Sequence, residues 1–159
     1  MSNNSSELNS LDGTSEYVTV HINEQLFGLP IEQVEDVFMP DAITEVPLSN
    51  PEVAGVLNLR GRIVTAIDMR KRLGLPPYDK DKVPMAVGIE YQQESYGLII
   101  GRVGEVLRLG NRTFEKNPAN LDVRWGSISA GVHRLDGQIL VLLDVERILD
   151  INGEKSNAA

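Results

Sequence analysis

Cysteine is absent from the 159 residues. That excludes disulfides, a thiol nucleophile and thiolate-held metal. It suits a reducing compartment. Histidine occurs twice, at His21 and His133, and the two never fall at a metal-ligand spacing. Aromatic residues are sparse: one Trp, four Tyr and three Phe. No apolar run approaches the ~18 residues that suggest a membrane span. The N-terminus has neither a basic n-region nor an apolar h-region, so no signal peptide is expected. A soluble, cytoplasmic chain without membrane insertion is the expectation.

Positive charge is missing from a large part of the chain. From Met1 to Leu59 there are ten acids and no Lys or Arg; Arg60 is the first cation. From there on, thirteen acids face all fifteen basic residues, for a net charge of -8 overall. Such a surface repels nucleic acid and anionic membranes unless a strong local patch overcomes it. Arg70, Lys71 and Arg72 form the one candidate patch. A solvated helix face near a C-terminus, which cations favour, is the plainer account of it.

What the chain does have is an internal repeat. "AGVLNLRGRIVTAIDMRKRL" (Ala54 to Leu73) lies over "AGVHRLDGQILVLLDVERIL" (Ala130 to Leu149) with eight identities in 20 positions and no gap. Upstream, "FGLPIEQVEDV" from Phe27 matches "YGLIIGRVGEV" from Tyr96. The offset grows from 69 to 76, and "TFEKNPANLDVRWG" is where the extra residues are expected. Each half reads as an alternating strand, a polar turn, a second strand, an apolar run, a hairpin and a short terminal helix. Val34 and Val37 in one half correspond to Val103 and Val106 in the other. Asp68 and Asp144 stand where helix N-caps belong, and Gly74 ends the first helix.

Short strands at regular spacing predict an all-β chain with short helices. A half of about 70 residues suits a small barrel of roughly five strands. Two tandem barrels are therefore expected, one from about residue 16 to 77 and one from about 83 to 151, joined through "PPYDKDK". The polar ends, 1–15 and 152–159, are expected to be disordered tails.

Arg60 precedes Gly61 in a hairpin turn, a place that favours Asn or Asp because both central residues need positive φ. Its mate in the repeat is Asp136, in "LDG", the residue a primed hairpin turn wants. Either the turn tolerates arginine, or arginine is there for its charge.

"VAGVLNLRGRIVTAIDMRKRLGL" resembles the signature of the CheW family, the bacterial chemotaxis coupling proteins. Gly55 with Val56, the block Asn58-Leu59-Arg60-Gly61, and Ile67-Asp68-Met69-Arg70 carry the likeness, and it extends from about Glu16 to Ile151. Thr65 departs from it, where the family usually has proline. The resemblance implies two SH3-like five-stranded barrels and an adaptor with no chemistry and no cofactor of its own. It implies two partners, the cytoplasmic tips of methyl-accepting chemotaxis receptors and the regulatory domain of the histidine kinase CheA. It also implies a protein monomeric in isolation, ring-forming in arrays, and recruited to membrane-associated receptors. Val34, Val37, Val103 and Val106 would then line an apolar groove for the receptor hairpin, or else belong to the barrel cores. Arg60 would serve coupling, with Glu35 or Asp36 as its carboxylate partner.

Other classes fit less. No Gly-x-Ser-x-Gly elbow or dinucleotide fingerprint occurs. A small barrel can bind an oligonucleotide or another ligand, but that takes a basic groove set with exposed aromatics.

Overall fold

Alternation of apolar and polar residues makes strands here, and tight turns join them in pairs. The computed structural model describes residues 13–40, 42–45, 51–78 and 84–150. In chain order the described elements are β1 (Thr14–Ile22), β2 (Gln25–Pro30), β3 (Val34–Phe38), β4 (Val53–Leu59), β5 (Arg62–Asp68) and α1 (Met69–Arg72). Then come β6 (Ala86–Tyr91), β7 (Glu94–Ile99), β8 (Arg102–Gly110), β9 (Phe114–Glu115), α2 (Val123–Ile128), β10 (Ser129–Leu135), β11 (Gln138–Leu143) and α3 (Val145–Leu149). The chain is mostly β with a few short helices, as expected. The tail residues 1–12 and 151–159 and most of the expected linker lie outside the described residues, and β1 already starts at Thr14.

Two sheets form, ordered β8-β1-β2-β11-β10-β9 and β3-β6-β7-β5-β4. The repeat pairs β1 with β6, β2 with β7, β3 with β8, β4 with β10 and β5 with β11. On that correspondence the two sheets have one topology, and each mixes the halves. The first two strands of one half join the last three repeated strands of the other, and β9 of the inserted stretch adds a sixth strand to one sheet. Expecting each barrel to come from one contiguous half therefore needs correcting. The crossing points are short. Pro30 ends β2, and one 3-10 turn, Ile31–Gln33, carries the chain into the other sheet. Parallel ladders between β2 and β11 and between β5 and β7 stitch the halves together.

The exchange explains where the core sits. Its largest cluster joins Val20, Phe27 and Leu143 of one sheet with Ile67, Val87 and Leu98 of the other. Inside the five-stranded sheet lies a second cluster around Leu57, Leu59, Val64 and Ile99, with Phe38 against it. Side chains from all five strands meet there, so the sheet curls around them. Leu26, Leu140 and Leu142 do the same in the other sheet. Each fully buried Leu, Ile or Phe adds about 1.5–3 kcal/mol over an exposed one. Most of that gain needs both halves at once.

The helix caps behave as expected. Asp68 Oδ1 accepts from the Lys71 amide at 3.1 Å, and Asp144 Oδ1 from the Arg147 amide at 3.3 Å. The inserted stretch is more ordered than a loop: it carries β9 and α2, with Asp122 capping α2. Trp125 of α2 packs on Phe27 with ring centroids 5.5 Å apart, and its indole N–H donates to the Leu73 carbonyl at 3.2 Å. Arg72 reaches from α1 to the carbonyls of Arg147 and Ile148 at the end of α3. Neither tie has a local sequence signal.

Candidate protein-interaction site at the Arg60 turn

The β4–β5 hairpin closes tightly. Leu59 pairs with Arg62, leaving Arg60 and Gly61 as the loop. Both have positive φ, +54° and +85°, as a type I′ turn demands. The Asn58 side-chain carbonyl accepts from the Gly61 amide at 2.7 Å and braces the bend. The Arg60 turn is therefore the primed one. In the matching hairpin Gly137 has φ +80°, while Asp136 keeps a negative φ. The expectation that Asp136 marks a primed turn is corrected: a single positive φ at the second central residue belongs to a type II turn. An arginine held in the left-handed region costs about 1–2 kcal/mol.

That arginine is latched. Its Nε lies 2.8 Å from Asp36 Oδ2, with the arginine side chain 73% exposed and the aspartate 24%. Asp36 is aimed by its own strand, since its Oδ1 accepts from the Val37 amide at 2.8 Å. Beside it, Glu35 Oε1 accepts from Ser95 Oγ at 3.0 Å and faces Arg62 Nη2 at 3.8 Å. The two acids thus divide the two arginines, and Asp36 is the partner of Arg60. These ion pairs join β3 to the β4–β5 hairpin, which stand at opposite edges of the five-stranded order. Only a curled sheet brings those edges together.

A β-bulge sets this up. Val34 pairs with Ile89 but Asp36 with Gly88, so β3 holds one extra residue, Glu35. The same occurs in β8, where Val103 faces Val20 and Val106 faces Val18. Thr19 Oγ1 donates to the Glu105 carbonyl within that bulge at 2.6 Å. Bulges explain why valines three apart share a face. Val34, Val37 and Val103 rest partly buried against the core between the sheets. Val106 is 48% exposed. Val34 and Val37 thus reach the shared core from β3 of one sheet and Val103 from β8 of the other.

Asn58, Arg60, Gly61 and Asp36 are brought together, with Val37 next to them in β3. Gly55 is not at the turn. It sits at the far end of β4 with φ +143°, where the backbone shifts register and Thr44 pairs with Val56. A methyl group on Gly55 would overlap the Thr44 carbonyl. Its repeat mate Gly131 has φ +141° in a matching bulge. Ile63, 69% exposed beside the turn, is a surface residue that sequence reasoning missed. Strand alternation gives no hint of it, because both faces of β5 carry apolar side chains.

Among the described residues no group of three His, Asp or Glu could hold a metal ion. His133 is 3% exposed, lies between the rings of Tyr17 and Phe114, and shares a 2.7 Å hydrogen bond between Nδ1 and Thr113 Oγ1. Burial lowers its pKa. No helix among the described residues is long and apolar enough to cross a membrane.

Residues 16–152 match the CheW-like domain family. The chain is 30% identical over 135 residues to the chemotaxis protein CheW of Thermotoga maritima, covering 85% of this chain and 87% of that protein. Against the chemotaxis protein CheW of Bacillus subtilis it is 25% identical over 135 residues, with 85% and 86% covered. The crystal structure of the scaffolding protein TtCheW from Thermoanaerobacter tengcongensis superposes with a TM-score of 0.77 at 27% identity, covering 87% of this chain and 94% of that one.

Proposed function

The chain belongs to the CheW family, a family of scaffolds and not of enzymes, and from that premise we propose that it couples the cytoplasmic tips of chemotaxis receptors to the histidine kinase CheA. The observation that carries this reading is the Arg60 turn. A strained arginine is latched to Asp36 yet 73% exposed, so a cation is held at a fixed place with its outer face open. An exposed ion pair adds only about 0.2–1 kcal/mol to stability. Left-handed backbone is shared by Asn23, Glu24, Gln92 and Gln93 in the β1–β2 and β6–β7 turns; what sets Arg60 apart is a latched cation with an open outer face, which suits recognition. Enclosed at an interface, the same charge is worth more, because losing one partner strands the other.

The valines supply the apolar part of the surface. Val34 and Val37 on β3 and Val103 on β8 reach the core between the sheets, and Val106 stands half-exposed on β8; in this reading an amphipathic receptor helix covers all four. Arg60 and Asp36 then sit at one flank of that helix, with Asn58 and Gly61 shaping the turn. The protein works in the cytoplasm, recruited to receptors in the membrane.

Co-sedimentation tests the reading. Purified chain and CheA are mixed with membranes bearing receptors. The expected result is that the chain pellets with receptors alone and that CheA pellets only when the chain is added. CheA that pellets equally well without the chain overturns the proposal.

A further inference from the structure

Far from the Arg60 turn lies a second concentration of charge. The seven residues of β5 separate the two, about 20 Å at the usual strand rise of roughly 3.3 Å. Where β5 ends, α1 and α2 flank an open hollow lined by Glu52, Lys71, Arg72, Gly74, Arg124 and Ser127. Three of these are cations and one is an acid, on a chain whose net charge is -8.

Two of the cations, Lys71 and Arg124, are left available by the local structure. The carbonyls at the end of α1 are already used: Met69 by the Leu73 amide, Arg70 by the Leu75 amide, Lys71 by the Gly74 amide and Leu73 by Trp125. Arg72 spends Nε and Nη2 on α3, which fixes its guanidinium in place. Neither Lys71 Nζ nor the Arg124 guanidinium has a hydrogen bond or ion pair to another described residue. Gly74, with φ +72°, leaves room for Arg124 to lie across the end of α1, since a methyl group there would overlap the guanidinium. Asp122 accepts from the Arg124 amide at 2.8 Å and caps α2, so the hollow offers side-chain cations more than helix-end amides.

We infer that this hollow between α1 and α2 is a docking point for a carboxylate-bearing segment of a partner protein, separate from the Arg60 surface. Three cations fit a short acidic segment. They are too few for nucleic acid, whose binders commonly make about 6–10 phosphate contacts, and the acidic remainder of the chain repels a long polyanion. A partner's acidic side chains, spaced along a helix or loop, can reach Lys71 and Arg124 together while the rest of the partner stays clear of the acidic surface.

The probe is a hexaglutamate peptide with blocked ends, titrated into the ¹⁵N-labelled full chain. Saturable shifts are expected at the amides of Lys71, Gly74, Arg124 and Ser127, with none from hexaglutamine. The double substitution Lys71→Gln with Arg124→Gln should weaken binding about tenfold or more, as expected when a charged cluster is neutralised. Raising salt from about 0.01 to 0.15 M, which shortens the Debye length from about 30 to 8 Å, should weaken wild-type binding too. If the double variant melts early, Lys71→Gln alone is read instead. Shifts centred elsewhere, or binding unchanged by the substitutions, overturn the inference. So does inorganic phosphate moving the same amides as tightly as the peptide, which makes the hollow a small-anion site. Displacement of the peptide by a single-stranded oligonucleotide at lower concentration overturns it as well.

Discussion

Replacing Arg60 with aspartate separates stability from coupling. The change removes an ion pair between side chains 73% and 24% exposed, which costs about 0.2–1 kcal/mol. The introduced carboxylate then faces Asp36, and two like charges about 4 Å apart in water repel by about 1 kcal/mol. Against this, aspartate accepts the left-handed backbone at φ +54° more readily than arginine, returning part of the roughly 1–2 kcal/mol of strain. The terms nearly cancel. The melting midpoint should move by no more than about 5 °C, since 1 kcal/mol corresponds to roughly 2–8 °C across domain sizes that bracket this one. At an assembled interface the same change reverses a charge and leaves the partner's group unpaired, at about 2–5 kcal/mol. Because 1.4 kcal/mol is tenfold, 2 kcal/mol already weakens assembly about thirtyfold. The assay pairs a melting curve with receptor-controlled kinase activity in a reconstituted mixture of receptor, CheA and chain. Arg60→Lys should recover part of the activity, keeping charge but not the planar fork. Full kinase control by a folded Arg60→Asp protein refutes the reasoning and leaves Arg60 a tolerated turn residue.

Other perturbations test the framework around that turn. Asp68→Ala and Asp144→Ala should each cost about 1 kcal/mol in denaturant unfolding, because each loses one capping bond of the same kind; unequal losses of more than a few-fold would break the equivalence of the two halves. Gly55→Ala, forced to φ +143° against the Thr44 carbonyl, should lose at least about 2 kcal/mol, and a wild-type midpoint would contradict the close approach. Val106→Lys should fold normally at a site 48% exposed while weakening receptor binding, whereas Val103→Lys places a charge against the core between the sheets and should destabilise; equal stability of the two would remove the distinction. Burial lowers the His133 pKa, so the unfolded chain, with its imidazole near about 6.5, takes up a proton before the folded one. Stability from this group is therefore complete above about pH 6.5 and declines as pH falls below it toward the folded pKa. His133→Gln should flatten that decline in thermal melts between neutral and mildly acid pH; an unchanged slope would assign it to other groups, His21 among them.

Whatever depends on neighbours a few residues apart was legible in the sequence. The caps at Asp68 and Asp144 need only an amide three residues on. The Arg60–Gly61 loop follows from two apolar runs separated by two residues, and the repeat itself is a linear pattern. Partner choice over long distances was not legible. β2 finds a parallel partner in β11 and β7 finds one in β5, although both candidate strands carry similar apolar patterns. A 3-10 turn, Ile31–Gln33, directs β3 away from β2 and into the other sheet, and only packing of both sheets on one shared core makes the choice stable. Asp136 misled for a related reason: its residue type suits a primed turn, but backbone conformation depends on the twist of the strands it joins. The pairing of Arg60 with Asp36 and not Glu35 likewise awaited the tertiary structure. A bulge at Glu35 turns the two carboxylates different ways, and the curl of the sheet brings the opposite edge up to meet them.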